Sequence, residues 1–254
     1  MAFDPSQMSP PERLLWSYGV MEPGHIDLEA IAADRGAVVR YRRLDGCEAR
    51  LVANGDRAVI SINSESSEGR QRFSLAHELA HWIEDRHTGS YLCAKDDIGP
   101  QNAEKKSIES HANAYASQLV LPDYLVRPWI NAKRVSLEVA AAMATDFNAS
   151  LTAAAIKLAK RAATPACVAC HSQTRLVWFQ KNACFPDELF LTRELHEDTE
   201  AFRIAFAAAS GMSRPKREPG ERWFSGRDAY RVSVDSQSMK LPDGTALTLL
   251  ALAK

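Results

Sequence analysis

The stretch from His77 to His87, HELAHWIEDRH, constrains the fold of this chain more than any other feature. On an α-helix, residues four apart project from one face, so His77 and His81 can bind one ion through their imidazoles. Glu78 is rotated by about 100° from His77 and can instead reach a water held on that ion. Zinc makes such a water acidic, and a neighbouring carboxylate can accept its proton. The stretch therefore predicts a helix that carries a zinc site, with His77 and His81 as ligands and Glu78 as general base.

The residues around this motif favour metal binding over a chance occurrence. The predicted helix is apolar on most sides, with Phe73, Ala76, Leu79, Ala80, Trp82 and Ile83. Two histidines and a glutamate in such a segment need partners, because an unpaired polar group is costly to bury.

A zinc site needs a third protein ligand, and His87 is one candidate. His87 stands at the last position of the pattern HExxHxxGxxH, in which the glycine lets the chain turn back to the metal. This sequence has Glu84 in place of that glycine, and glutamate favours continued helix. A continued helix would place His87 about 15 Å along the axis from His77. We therefore expect His87 to lie in the last helical turn, in contact with solvent.

The other candidate for the third ligand is Glu109. The segment AEKKSIESHANAYASQLVLP predicts a helix whose apolar stripe contains Ile108, Ala112, Tyr115, Ala116, Leu119 and Val120. Glu109 falls inside that stripe, and a carboxylate on a core-facing stripe needs a cation. Ala112 and Ala116 would let this helix approach the motif helix closely. We predict Glu109 as the third ligand, and the alternative is a surface glutamate or one paired with an arginine such as Arg72.

The order of predicted elements indicates an α+β fold in three parts. Residues 1–132 predict two helices, a small antiparallel sheet from AVVRYRR, EARLVA and RAVISIN, and then the HExxH helix, as in a zincin-like catalytic domain. Residues 133–164 predict two short alanine-rich helices, each beginning at a serine suited to capping. Residues 165–254 predict a mixed α/β domain, in which SGMSRPKREPGER is expected to be a loop.

Composition and charge give no signal for several function classes. The net charge of −1 over 254 residues gives no signal for nucleic-acid binding. The N-terminal segment MAFDPSQMSPPERLLW lacks the basic start and apolar core of a signal peptide, and no apolar run reaches the ~18 residues of a membrane span. The five scattered cysteines do not indicate a disulfide framework. We therefore expect a cytoplasmic protein without a membrane partner.

A second group of ligand-type residues occurs in CVACH, Cys167 to His171, which matches the attachment pattern of c-type haem. Haem attachment of that kind requires export, and the pattern also alternates as a strand does. A strand is our prediction. The alternatives are a redox-sensing pair of Cys167 and Cys170 or a second zinc site that adds Cys184 with His171 or His196.

Two paired motifs resemble a known family, the ImmA/IrrE-type metallopeptidases. RFSLAHELAHWI is followed about 28 residues later by IESHANAYASQLVLP, and the family pattern for the second motif is roughly E-x-x-A-N-x-F-A-x-x-L-L-x-P. The matching positions are Glu109, Ala112, Asn113, Tyr115 for Phe, Ala116, Leu119, Val120 for Leu, and Pro122. The resemblance extends from about residue 10 to 162 and is weaker beyond.

The resemblance implies Zn2+ on His77, His81 and Glu109, with Glu78 as general base. Family members are cytoplasmic proteases that cleave DNA-binding repressors, often in mobile elements or stress responses. The resemblance thus implies a zinc endopeptidase whose substrate is a helix-turn-helix transcriptional repressor. It also implies a helix-turn-helix-like unit for residues 133–164 and, as a hypothesis, a GAF-like sensor domain for residues 165–254. The alternative is a metal-containing regulator that binds a partner or DNA without proteolysis, although we expect no direct nucleic-acid binding. For the oxyanion stabiliser expected beside the zinc, Tyr115, His111 and His87 all stay open.

Overall fold

The fold is described from a computed structural model, in which residues 5–84, 91–93, 107–206 and 211–253 are described. The chain has the predicted α+β class and divides into two compact units. One unit contains Met1–Asn131 and Met143–Ala153, and the other contains Ala132–Ala142 and Ala154–Lys254. The three-part division at residues 132 and 164 stays a prediction.

Up to residue 131, the described part of the first unit contains a four-stranded sheet and five α-helices. The strands are β1 (Ala37–Arg42), β2 (Ala49–Asn54), β3 (Arg57–Asn63) and β4 (Tyr91–Cys93). The helices are α1 (Pro10–Ser17), α2 (Leu28–Asp34), α3 (Glu68–Glu84), α4 (Ser107–Val120) and α5 (Asp123–Ile130). Asp27 caps α2 as its sequence indicates, since its Oδ1 accepts a hydrogen bond from the amide of Ala30 at 2.9 Å.

The sheet of the first unit is mixed, so the prediction of an antiparallel sheet was wrong in one pairing. The strand order is β1-β3-β2-β4, and β2 runs antiparallel to both β3 and β4. The chain reverses between β1 and β2 and again between β2 and β3, so β1 and β3 run in the same direction. Because β4 occupies the other edge of β2, β1 lies beside β3, and the two pair in parallel from Ala37↔Ala58 to Arg42↔Asn63.

Helix α3 lies in the core of this unit, against β2, β3 and α4. Its apolar residues Leu75, Ala76, Leu79, Ala80 and Trp82 are all buried. The facing side of α4 contains Ala112 and Ala116, which are also buried, and these small side chains permit the close approach of the two helices that the sequence indicates.

Helix α1 and the residues around it contact α5 through hydrogen bonds and a ring contact. Helix α5 was not among the helices predicted from the sequence. Glu12 on α1 is buried, and its carboxylate accepts hydrogen bonds from the amides of Ser9 at 2.9 Å and Tyr124 at 3.1 Å. The Tyr124 hydroxyl donates to the Val20 carbonyl at 2.7 Å, and its ring meets Trp16 edge-on at 5.9 Å. Both oxygens of a buried carboxylate are thereby satisfied, as burial requires.

Two further helices, α6 (Leu137–Asp146) and α7 (Leu151–Arg161), follow at the positions predicted. Ser136 and Ser150 accept hydrogen bonds from the amides of Val139 and Ala153, which confirms both serine caps. Among the described residues no single helix has the length and apolar composition of a membrane span, and α6 with α7 reach it only as a pair bent by 115°.

The second unit is built on a five-stranded sheet of order β6-β5-β11-β10-β8, with antiparallel neighbours throughout. Its elements are β5 (Ala166–His171), β6 (Leu176–Lys181), β7 (Phe190–Leu191), α8 (Glu200–Phe206), β8 (Lys216–Pro219), β9 (Phe224–Ser225), β10 (Ser233–Lys240) and β11 (Ala246–Ala253). The expected loop SGMSRPKREPGER therefore contains β8. Pro219 is compatible with a strand there because β8 is an edge strand and Pro219 is its last residue.

Candidate metal centre

Three side chains of α3 and α4 converge on one point. His77 Nε2 lies 3.2 Å from His81 Nε2 and 3.2 Å from Glu109 Oε2, and His81 Nε2 lies 3.5 Å from Glu109 Oε2. Two ligand atoms at zinc-bond lengths of about 2.05 Å in a tetrahedral site are about 3.3 Å apart. The triangle formed by these three atoms therefore has the size that a zinc ion requires.

The helical period produces this convergence. His77 and His81 are one turn apart on α3, so their rings lie next to each other, edge to face, with centroids 4.8 Å apart. Glu109 comes from the first turn of α4, which packs against α3. The structure thus brings together the three residues that the sequence predicted as ligands, and within the described residues they form the one His, Cys, Asp and Glu group of ligand size.

Burial and charge set the protonation states that a metal needs. His77 and His81 are fully buried, whereas the Glu109 side chain keeps 16% exposure. Burial lowers the pKa of His77, and contacts with the imidazoles of His77 and His81 lower the pKa of Glu109 to about 2. At neutral pH the centre therefore offers a neutral imidazole and a carboxylate, which are the forms that bind zinc.

Glu78, the predicted general base, is fully buried on α3 beside the two histidines in sequence. The charge of Glu78 acts on the thiol of Cys47, in the loop between β1 and β2. Burial first, and then the negative charge of Glu78, raise the pKa of the Cys47 thiol. The carboxylate of Glu78 is therefore within electrostatic range of that loop. Glu78 is not a member of the ligand-sized group that the two histidines form with Glu109.

One contact of the centre was not predicted. His77 Nδ1 lies 3.2 Å from Oδ1 of Asn113, which stands one helical turn after Glu109 on α4. The sequence contained a signal for this contact, because residues at i and i+4 share a helix face and Asn113 follows Glu109 by four positions.

The three oxyanion candidates lie in different surroundings. His111 is 63% exposed, and its Nε2 lies 3.7 Å from Glu84 Oε2. Tyr115 is buried, and burial together with the charge of Glu84 raises the pKa of its hydroxyl to about 12. His87, which is also the other candidate for the third ligand, lies outside the described residues.

The alternative pairing of Glu109 with Arg72 is not formed. Arg72 lies on α3 five residues before His77, and its Nη2 donates to the carbonyl of Ile26 at 2.8 Å. Burial lowers the pKa of Arg72. The partners of Glu109 are therefore the two histidines rather than this arginine.

The ligand-type residues of CVACH form strand β5, as predicted, and do not converge. Cys167 and Cys170 are three positions apart on the strand, so their side chains leave opposite faces of the sheet. His171 is fully buried, its Nε2 lies 3.4 Å from the Thr192 carbonyl, and its ring meets Trp223 at 6.4 Å. In the part of the chain that the structure describes, these residues join neither Cys184 nor His196 in a group of metal-ligand size.

Comparison with known proteins places these features in a family. Residues 32–159 match the M78 peptidase family, described as the IrrE N-terminal-like domain, and this match covers just over half of the chain. Among solved structures, a Mycobacterium tuberculosis transcriptional regulator is similar in fold, with a TM-score of 0.62, 14% identity, and coverage of 95% of this chain and 74% of that one. Comparison with curated proteins returned no match. The chain belongs to the M78 peptidase family of IrrE N-terminal-like proteins.

Proposed function

We propose that this protein is a zinc-dependent endopeptidase, with His77, His81 and Glu109 as zinc ligands and Glu78 as general base. The observation that carries the proposal is the triangle of His77 Nε2, His81 Nε2 and Glu109 Oε2, with sides of 3.2, 3.2 and 3.5 Å. These sides match the about 3.3 Å expected between ligands of tetrahedral zinc. Membership of a peptidase family supports the same chemistry.

The chemistry of the ligand set indicates the role of each residue in catalysis. Two imidazoles and one carboxylate are a zinc ligand set, and three protein ligands leave a fourth position open for reaction. When bound, zinc supplies Lewis acidity, which polarises a peptide carbonyl and makes water a stronger acid. Glu78 would accept the proton of the attacking water and pass it to the departing amide nitrogen. Its full burial keeps bulk water from competing for that carboxylate.

The proposed substrate is a protein, namely a helix-turn-helix transcriptional repressor in a stress or mobile-element response. Two observations support this context. The family is a peptidase family, and the protein of similar fold is a transcriptional regulator. We further propose that the second unit, a five-stranded sheet that carries α8, receives the activating signal as a sensor domain of GAF-like type.

The test is a Glu78→Gln variant of the full chain. Glutamine keeps the size of the side chain but cannot accept the proton, so we expect cleavage of a helix-turn-helix repressor substrate to slow by roughly 10²–10⁴-fold. Zinc content should stay at the wild-type level, because Glu78 is not a proposed ligand. The measurements are repressor cleavage by gel electrophoresis and bound zinc by atomic emission.

A Glu68→Gln variant is the matched control, because it removes the same charge from the exposed first turn of the same helix. It should cleave at the wild-type rate. A Glu78→Gln protein that binds zinc and still cleaves at the rate of this control would contradict the proposal.

A second candidate function is a metal-containing regulator that acts by binding a partner or DNA without proteolysis. The similarity in fold to a transcriptional regulator favours it. The same variant separates the two functions. Regulation in cells that is unchanged by Glu78→Gln would support the binding protein, and regulation lost with cleavage would support the peptidase.

A further inference from the structure

We propose that Asn113 is a positioning residue of the metal centre, which holds the imidazole of His77 in the orientation and tautomer that zinc requires. This inference rests on the proposed zinc site. It starts from the 3.2 Å contact between Asn113 Oδ1 and His77 Nδ1. That contact lies on the opposite edge of the ring from Nε2, the atom that faces His81 and Glu109.

The chemistry of a neutral imidazole makes the contact consequential. A neutral ring carries one N–H, and the other nitrogen is then a lone-pair acceptor. An oxygen at Nδ1 selects the tautomer with the proton on Nδ1, which leaves the Nε2 lone pair free for a metal. The amide in its other orientation would place an NH₂ at Nδ1 and drive the ring proton onto Nε2, where it would block zinc. The oxygen-facing orientation is thus the one compatible with a ligand triangle at Nε2.

The helix geometry places Asn113 correctly without a separate element. Glu109 and Asn113 are four residues apart on α4, so one face of this helix offers both a ligand and the group that orients another ligand. Ala112 and Ala116 on the same helix are buried and small, which keeps α4 close enough for the short asparagine side chain to reach His77. A hydrogen bond of this kind to a ligating histidine also raises the basicity of the nitrogen on the metal.

The expected effect follows from removing this hydrogen bond. An Asn113→Leu variant has a side chain of similar size and no acceptor, so the His77 ring loses its oxygen partner. We expect zinc affinity to fall by about 10–100-fold. Asn113→Asp keeps an oxygen at the same distance from the backbone, and it should restore zinc affinity to within about tenfold of the wild type. The measurement is competition for zinc with a chromophoric chelator.

Two features of the experiment separate positioning from a general loss of structure. Gln118→Leu is the matched control, because Gln118 lies on the same helix and bonds Asp123 rather than a histidine. In the zinc-loaded full chain, the Nδ1–H proton of His77 should give a protected resonance in ¹⁵N-edited spectra of the wild type and Asn113→Asp. The same resonance should exchange with water in Asn113→Leu and persist in Gln118→Leu.

The possible results are distinct. If Asn113→Leu binds zinc as tightly as wild type, or if Asn113→Asp binds it as weakly as Asn113→Leu, the positioning role is wrong while the zinc site stands. If the wild-type chain itself does not bind zinc, the proposed function fails and the positioning role fails with it. Weaker zinc binding and a lost Nδ1–H resonance in Asn113→Leu, with both restored by aspartate, support the inference.

Discussion

The candidate metal centre on α3 and α4 and the strand β5 both contain histidine and acidic or thiol residues close together in sequence, but the two elements arrange these residues differently. His77 and His81 are four positions apart on a helix, which brings their rings next to each other, and Glu109 from α4 completes the group. Cys167 and Cys170 are three positions apart on a strand, which sends them to opposite faces. Ligand-type residues in a short stretch therefore indicate a metal site only when the period of their element matches their spacing.

The largest test of this comparison concerns metal content. In a Glu109→Ala variant, the affinity for zinc should fall by more than the roughly 10–100-fold loss that is typical when a residue that only supports a ligand is replaced. His87→Ala should retain zinc, because Glu109 and not His87 is the proposed third ligand. Cys167→Ser with Cys170→Ser should also retain one zinc per chain. Bound metal after gel filtration measures all three, and zinc lost from His87→Ala would make His87, at the last position of the pattern HExxHxxGxxH, the third ligand.

The second test concerns His171 of β5, which should make the stability of the second unit depend on pH. Burial lowers the pKa of His171 to about 4 from its ordinary value of 6.5. The folded state therefore resists protonation, so the stability contributed by the neutral ring is present above pH 6.5 and is lost as the pH falls toward 4. The second unit should be less stable by about 2 kcal/mol at pH 5 than at pH 7.

Urea unfolding followed by tryptophan fluorescence can measure the free energy of unfolding at each pH, because Trp223 packs on His171. A His171→Gln variant should show a smaller difference between the two pH values. If the difference in stability between pH 7 and pH 5 is the same in both proteins, other groups cause the pH dependence.

The smallest expected effect concerns the thiols. Burial raises the pKa of Cys167 to about 12 and that of Cys170 to about 11. Both thiols are therefore protonated at neutral pH and should not react with a disulfide reagent in the folded protein. Cys184 is exposed and should react at once. A mass shift for each cysteine after brief labelling measures this, and rapid labelling of Cys167 or Cys170 would restore the redox-sensor alternative.

The candidate metal centre was easier to predict from the sequence than the sheets were. Residues at i and i+4 are neighbours on any helix, so the approach of His77 to His81 needs no knowledge of tertiary structure. Glu109 was recognisable because a carboxylate on an apolar stripe needs a cation. Asn113 carried the same spacing, but an asparagine flanking a stripe has many ordinary partners, and the contact depends on how α3 and α4 pack.

The missed elements share another cause, which is that strand pairing and short helices depend on distant partners. The parallel pairing of β1 with β3 follows from the place of β4 at the other edge of β2. The segment Asp123–Ile130 contains Pro128, which argues against a helix locally, yet α5 forms where Glu12 accepts the amide hydrogen bond of Tyr124 from 112 residues away. Strand β8 likewise forms against β10, in a stretch whose prolines and charges indicate a loop.

The contacts of the α1 region with α5 determine where a shortened fragment of the first unit should begin. The family match begins at residue 32, after Glu12, Trp16 and Val20, yet all three contact Tyr124. A fragment cut at the family boundary would leave the first turn of α5 without its carboxylate cap and would expose apolar surface that α1 covers. Truncation for crystallisation or for a catalytic-domain assay should therefore keep the chain from Met8 onward, although family alignment alone would discard this segment.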